Sequence, residues 1–382
     1  MRVKLMLVAM AIMALSQVSL VSLFAAELDV WFGTSRNNTG QPGGIYRATF
    51  DTEKGVLSKA TLALKIDNAG WITWHPSQSV LYSSGRVNGQ HVVCSIQVGE
   101  DKSLTLAQSI SLKSSATHLT TDLSGSLLIA AQYRGGSVVS LPIKEDGMLG
   151  TEVQRFQHEG GSKVVKGRQN SPHPHYAQVS PDNQLVYVPD LGLDQLVVYG
   201  IDSAAQKLTA LDQPIECVKG GGPRHMKILN REGGSDSPFV FVLNELSLSV
   251  SCFELLNDGG MKLLHTTETL SAEQKAGESF NSASEIRIHP SGKFIYTGNR
   301  GHDSISVFEF DAESSKLTKT QTAAIHGSWP RNFNLTPDGK YLLAAGARTN
   351  SVSVFSIDQE SGKLTFIKKP IFVPGAICVS IR

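Results

Sequence analysis

At 382 residues, 41% of them hydrophobic and 18% charged, the chain can bury a large core. Lys plus Arg number 35 against 34 Asp plus Glu, a formal net charge of +1, so no long-range field draws the molecule to nucleic acid or to an acidic surface. The 35 glycines suit a turn-rich β protein.

The chain opens with MRVKLMLVAMAIMALSQVSLVSLFAAELDV, where Arg2 and Lys4 precede a long apolar run that ends in Ala25 and Ala26, ahead of Glu27. This is the form of a secretory signal peptide over 1–26, leaving a single domain, 27–382, exported to the periplasm or the extracellular space and free of the membrane once cleaved. An uncleaved anchor over 5–26 is the competing reading, since Leu23 or Phe24 occupies a position where a small residue is usual. Next come ELDVWFGT, GGIYRATF and TLALKI, three segments with the alternation of β-strands.

The mature chain then repeats itself. A polar turn closed by Leu recurs seven times, as DTEKGVLS, GEDKSLTL, EDGMLG, DSAAQKLTA, NDGGMKLL, DAESSKLTK and DQESGKLTF. A second turn falls between these six times, as HPSQSVLY, DLSGSLLI, SPDNQLVY, HPSGKFIY, TPDGKYLL and the irregular NREGGSDSPFVF. Each unit therefore reads strand A, second turn, strand B, loop, strand C, first turn, strand D. A unit of about 45 to 60 residues without a long helical period is a four-stranded propeller blade. Complete blades begin near Trp71, Ala116, His175, Arg224, Glu285 and Arg331. The three N-terminal strands supply B, C and D of one more blade, and the C-terminal GAICVSIR supplies its A. The expectation is an all-β, seven-bladed β-propeller closed by pairing of N- and C-terminal strands.

Cys94, Cys217, Cys252 and Cys378 show no short spacing, so they read as small apolar core residues; one disulfide in an exported protein stays open. No metal site is expected, because beyond His173 and His175 the eleven histidines show no metal-ligand spacing such as HxH joined to a well-placed carboxylate.

In such a blade, strand A lines the central channel, and its start shares one face of the disc with the end of strand B. Starts of A bring His175, Arg224 with His225, Glu285 with Arg287, and Arg331. Ends of B bring Arg86, Tyr133 with Arg134, Asp190 with Asp194, Asn244 with Glu245, and Asn299 with Arg300. Charged and imidazole groups from several blades thus meet at one channel mouth, as a site for a small polar anion requires. Asp190 and Asp194 read as loop-pinning Asx turns; Arg224, after GGGP, reads as an anion clamp; Glu245 and Glu285 need cationic partners at a partly buried mouth. His118, His265 and His289 read as strand or turn residues.

RQNSPHPH, DLGLD, GGPRHM, LNEL, SEIRIHPSGKFIYTGNRGHDSISVF, WPRNFNLTPDGKYLLAAG and VSVFSIDQESGKLTF, in this order over the whole mature chain, resemble the bacterial 6-phosphogluconolactonase family of seven-bladed propellers, which is similar to the carboxymuconate-lactonizing enzymes. The resemblance implies hydrolysis of a small-molecule sugar lactone, 6-phospho-D-glucono-1,5-lactone in the family's name, without metal or other cofactor. It implies His175, Arg224, Glu245 and Arg300 as catalytic residues, with His173, Glu285 and Arg331 binding substrate. His175 or Glu245 is then the general base, Arg224 the oxyanion partner, and Arg300 or Arg331 the holder of a phosphate or carboxylate. Two features depart from the family. Where its first complete blade carries an Asn-Pro-Ser opening and a Val-Asn-Glu strand end, this chain reads NAGWITW and SSGRVNG, with Gly85 or Arg86 at the place of the Glu. The export signal is the other, and it points to unphosphorylated or uronic lactones. A non-catalytic binding propeller outside the cytoplasm and a carboxymuconate-type lactonizing enzyme are the alternatives. Oligomeric state is not legible.

Overall fold

The computed structural model describes residues 27–35, 39–151, 153–230, 238–367 and 369–382; the expected signal peptide over 1–26 and part of the irregular turn, 231–237, lie outside the described residues. Seven antiparallel sheets follow one another in chain order. Blade 1 runs over 72–111, blade 2 over 118–157, blade 3 over 178–216, blade 4 over 223–268, blade 5 over 282–324 and blade 6 over 330–372. Blade 7 joins the termini: the C-terminal Ala376–Ile381 is its inner strand and pairs with Glu27–Thr34, which pairs outward with Gly44–Asp51. Blades 3, 6 and 7 carry a fifth short strand beyond the expected four. Among the described residues the single helix is Ala272–Ala276, between blades 4 and 5, and no helix is long and apolar enough to cross a membrane.

Strand alternation puts alternate side chains on the two faces of each blade, so the core is divided among the seams between neighbouring blades. Trp31 and Ile45 of blade 7 meet Leu81 and Ile96 of blade 1 in one seam. Tyr296 and Val307 of blade 5 meet Leu342 and Phe355 of blade 6 in another. The four cysteines are buried in these layers as free thiols.

The recurrent turns stitch the seams together. Tyr82, Tyr187 and Tyr296, each on a strand B, donate their hydroxyls to Gly147, Gly259 and Gly362 in the strand C to D turn of the next blade, at 2.6, 2.9 and 2.9 Å. His75 and His289, the histidines of the HPS turns, place Nε2 on the carbonyls of Gly125 and Gly339 one blade on, at 3.2 and 3.0 Å. His289 is thus the turn residue expected of it, while His118 opens the inner strand of blade 2 and His265 sits in the outer strand of blade 4.

Gly362 is held at φ +68°, and a Cβ there would overlap the Phe294 ring of blade 5. Gly362→Ala is expected to lower stability by roughly 2 kcal/mol or more, from backbone strain plus overpacking. Denaturant unfolding measures it; a change under about 0.5 kcal/mol would mean the blade 5–6 seam is looser than described.

Candidate active site

The ends of strand B deliver their functional groups through a repeated local device. In blade 4, Asn244 turns its amide onto Ser249 and Ser251 at 3.0 and 2.9 Å; in blade 5, Asn299 does the same with Ser304 and Ser306 at 3.2 and 3.0 Å. The asparagine pins strand B to strand C, and the next residue, Glu245 or Arg300, is turned into the channel. Gln132 plays this part in blade 2, accepting from Ser137 at 2.9 Å, and Tyr133 follows it.

These residues line a cavity of about 640 Å³ at one end of the channel. Its wall holds six arginines (Arg86, Arg134, Arg168, Arg224, Arg300 and Arg331) and one carboxylate, Glu245. Glu245 Oε1 receives Arg168 at 2.6 Å, and Oε2 receives Arg224 Nε and Arg300 Nη2, both at 3.0 Å. Burial alone would push this carboxyl up, but Arg300, Arg224 and Arg168 outweigh it and hold it down to about 2. Burial, followed by the neighbouring Arg300, draws Arg224 down to about 9 and Arg331 down to about 10, so both guanidiniums remain protonated at neutral pH.

Arg224 is aimed from several sides. Besides Glu245 it donates through Nη1 to the Ser284 carbonyl and to His225 Nε2, the latter at 2.9 Å. His225 in turn has Nδ1 at 3.0 Å from Glu285 Oε1, an arrangement that fits a neutral imidazole with its proton on Nδ1. Glu285 is fully buried and also receives Arg287 at 2.7 Å and the Asn332 amide. Arg331 makes no ion pair or hydrogen bond among the described residues, and His175 lines the cavity with Nδ1 buried and unpartnered. Burial first, then Arg224, His225, Arg331 and Arg300, keeps His175 far below its ordinary value, so it is a neutral base facing a cationic wall. Below it, Trp71, His118 and Tyr176 pack with His225 as a floor; the rings of His118 and Tyr176 lie 3.8 Å apart.

The structure brings together four of the expected residues, His175, Arg224, Glu245 and Arg300, and adds Arg331 to the same wall. His173 and Glu285, expected to touch substrate, do not line the cavity. The His173 ring stacks on Tyr133 at 4.4 Å with Nδ1 on the Tyr133 carbonyl at 2.9 Å, so it props the wall from behind. Glu285 lies beneath His225 and is linked to Arg224 by hydrogen bonds through that ring. Asp190 and Asp194 are loop pins: Asp190 accepts from the backbone N–H groups of His173, Gly192 and Leu193 and faces His158, and Asp194 accepts from Gln169, Gly220 and Gly222. Arg168 was not anticipated, because it arrives on the long connection between blades 2 and 3, neither a strand start nor a strand end. The signal was at hand, since it begins the RQNSPHPH motif. Among the described residues no group of three or more His, Cys, Asp or Glu side chains is placed to hold a metal ion.

The family described as lactonase, seven-bladed β-propeller, matches residues 29–381. The 6-phosphogluconolactonase of Bacillus subtilis is 31% identical over 77% of this chain and 81% of its own length. A crystal structure from Bacteroides fragilis described as a putative 6-phosphogluconolactonase superposes with a TM-score of 0.83 at 27% identity, over 94% of this chain and 99% of that one. The periplasmic gluconolactonase of Pseudomonas aeruginosa has a TM-score of 0.83 at 25% identity, over 93% and 99%.

Three histidines at the cavity and its floor, His118, His175 and His225, are held well below 6.5, in each case by burial first and neighbouring cations second. Unfolded, they gain protons as pH falls through that value; folded, they stay neutral, so the unfolded state binds more protons and stability drops. The melting temperature is expected to be level above about pH 7 and to fall progressively below 6.5. A melting temperature that holds or rises between pH 6.5 and 5 would contradict neutral burial of these rings.

Proposed function

The chain belongs to the seven-bladed β-propeller lactonase family and is a sugar-lactone hydrolase, and we propose that it opens a hexono-1,5-lactone carrying an anionic group, with 6-phosphoglucono-1,5-lactone the leading candidate. The observation that carries this reading is the wall of six arginines in which Glu245 engages three and leaves Arg331 free for a ligand. A neutral lactone alone does not call for so much positive charge.

In the proposed reaction, His175 takes a proton from water as its oxygen bonds to the lactone carbonyl carbon. Glu245 is the poorer base, because three guanidiniums hold its lone pairs and keep it ionised. The carbonyl electron pair moves onto oxygen, and this oxyanion faces Arg224, whose Nη2 has no hydrogen bond among the described residues. Negative charge beside His175 offsets the cations that depress it, so the imidazole becomes a stronger base as the transition state forms. Collapse breaks the bond between carbonyl carbon and ring oxygen, and His175 returns the proton to that oxygen. The product is an open hydroxy acid, which ionises to its carboxylate.

The leader over 1–26 supports export of the 27–382 propeller to the periplasm or beyond. A second substrate, unphosphorylated glucono-1,5-lactone, is favoured by that leader and by likeness to the periplasmic gluconolactonase of P. aeruginosa.

A pH-stat assay on both lactones tests the reading. Wild type is expected to exceed spontaneous hydrolysis on both and to prefer the phosphorylated one, while Arg224→Ala loses about 100-fold in kcat/KM, as for a missing oxyanion donor. Wild-type rates equal to spontaneous hydrolysis on both would reject the proposal.

A further inference from the structure

The half of the cavity formed by blades 1 and 2 has no task in that mechanism, yet it carries two of the six arginines and no carboxylate. Blade 4 ends strand B with Glu245, but blade 1 ends it with Gly85 and Arg86, and blade 2 with Tyr133 and Arg134. Arg86 spends one donor on the Gly89 carbonyl at 2.6 Å, and Arg134 makes no hydrogen bond or ion pair among the described residues. His91, at the start of strand C in blade 1, lines the same wall with Nδ1 buried and unpartnered. Burial first, then Arg86 and Arg134, lowers its proton affinity, which places both guanidiniums within electrostatic reach of the ring. The cavity's one carboxylate is already engaged by Arg168, Arg224 and Arg300. No carboxylate of the cavity lining therefore balances this cluster, and Ser114, Ser115 and Thr117 complete its wall.

We propose that Arg86, His91 and Arg134 form an anion subsite that holds the phosphate or carboxylate at the end of the substrate away from its lactone carbonyl. The division has a chemical reason. An anion bound against Arg224 and Arg300 would occupy the donors that the oxyanion needs, whereas an anion held across the cavity orients the ring and leaves them free. A charge on the substrate's far end is present equally in ground and transition states, so this subsite acts on affinity and selectivity more than on kcat.

The inference rests on the hydrolase reading for its purpose, and binding of the reaction products separates the two. Calorimetry compares gluconate, 6-phosphogluconate and glucarate, which differ only in the group at the far carbon, on wild type and on Arg86→Ala/Arg134→Ala, both on the mature chain. Wild type is expected to prefer at least one charged product over gluconate by about 30-fold, and the double variant to lose that preference. Preference for 6-phosphogluconate over glucarate assigns the subsite to phosphate, and the reverse to carboxylate. Where turnover is seen, the ratio of kcat/KM for the phosphorylated over the plain lactone should fall with it. No preference in wild type, or one that the double variant keeps, overturns the proposal whether or not the protein hydrolyses a lactone. Both arginines are exposed at the rim, so an unchanged melting temperature is expected of the variant.

Discussion

The site depends on one buried carboxylate. Glu245 sits where three guanidiniums from three parts of the chain converge, Arg168 from an inter-blade loop, Arg224 from the inner strand of blade 4 and Arg300 from the end of strand B in blade 5. Without it, like charges would face one another in a poorly solvated cavity, where repulsion is weakly screened. With it, the arginines are held apart at fixed angles, and enough positive charge remains to meet an oxyanion. The same ion pairs keep Glu245 ionised with its lone pairs engaged, which is why the proposed mechanism gives proton transfer to the unpartnered His175.

Such convergence is possible because the propeller brings distant chain segments to one mouth at short range. Each blade contributes a strand start and a strand end there, and the seams behind are locked by tyrosine hydroxyls and turn histidines reaching into the next blade. Closure matters as much as any seam. The inner strand of blade 7 comes from the C-terminus and its neighbour from the N-terminus, so the ring has no free sheet edge there. Beneath the cavity, Glu285 fixes His225 and His225 fixes Arg224, a chain of neutral and charged hydrogen bonds that orients the guanidinium without entering the cavity.

The architecture was legible because turn chemistry repeats. Pro-Asp-Gly-type and Leu-closed turns punctuate alternating strands, and their count alone specified the number of blades and the shared closing one. His175, Arg224, Glu245, Arg300 and Arg331 were legible for the same reason, since they fall at strand starts and strand ends. His173 and Glu285 fall outside the cavity lining because strand position tells which end of the disc a residue occupies, not how deep its side chain lies. Asn244 and Asn299 hid a related rule: the polar residue at the strand end is the pin, and the following one is delivered to the channel. Arg168 escaped because its position depends on the path of a long connection, which Gln169 anchors to Asp194 and to the Leu191 carbonyl, and no periodicity encodes such contacts.

The most direct test of the account replaces Glu245 by Gln, which keeps its size and removes its charge, and follows kcat/KM on glucono-1,5-lactone together with unfolding. The account predicts a folded protein less stable by about 3 kcal/mol or more, as for a buried ion pair that has lost one partner, and slower by about 100-fold because Arg224 and Arg300 are no longer held. A variant of undiminished rate would mean that the three arginines are placed by something other than Glu245, and the central claim would fail.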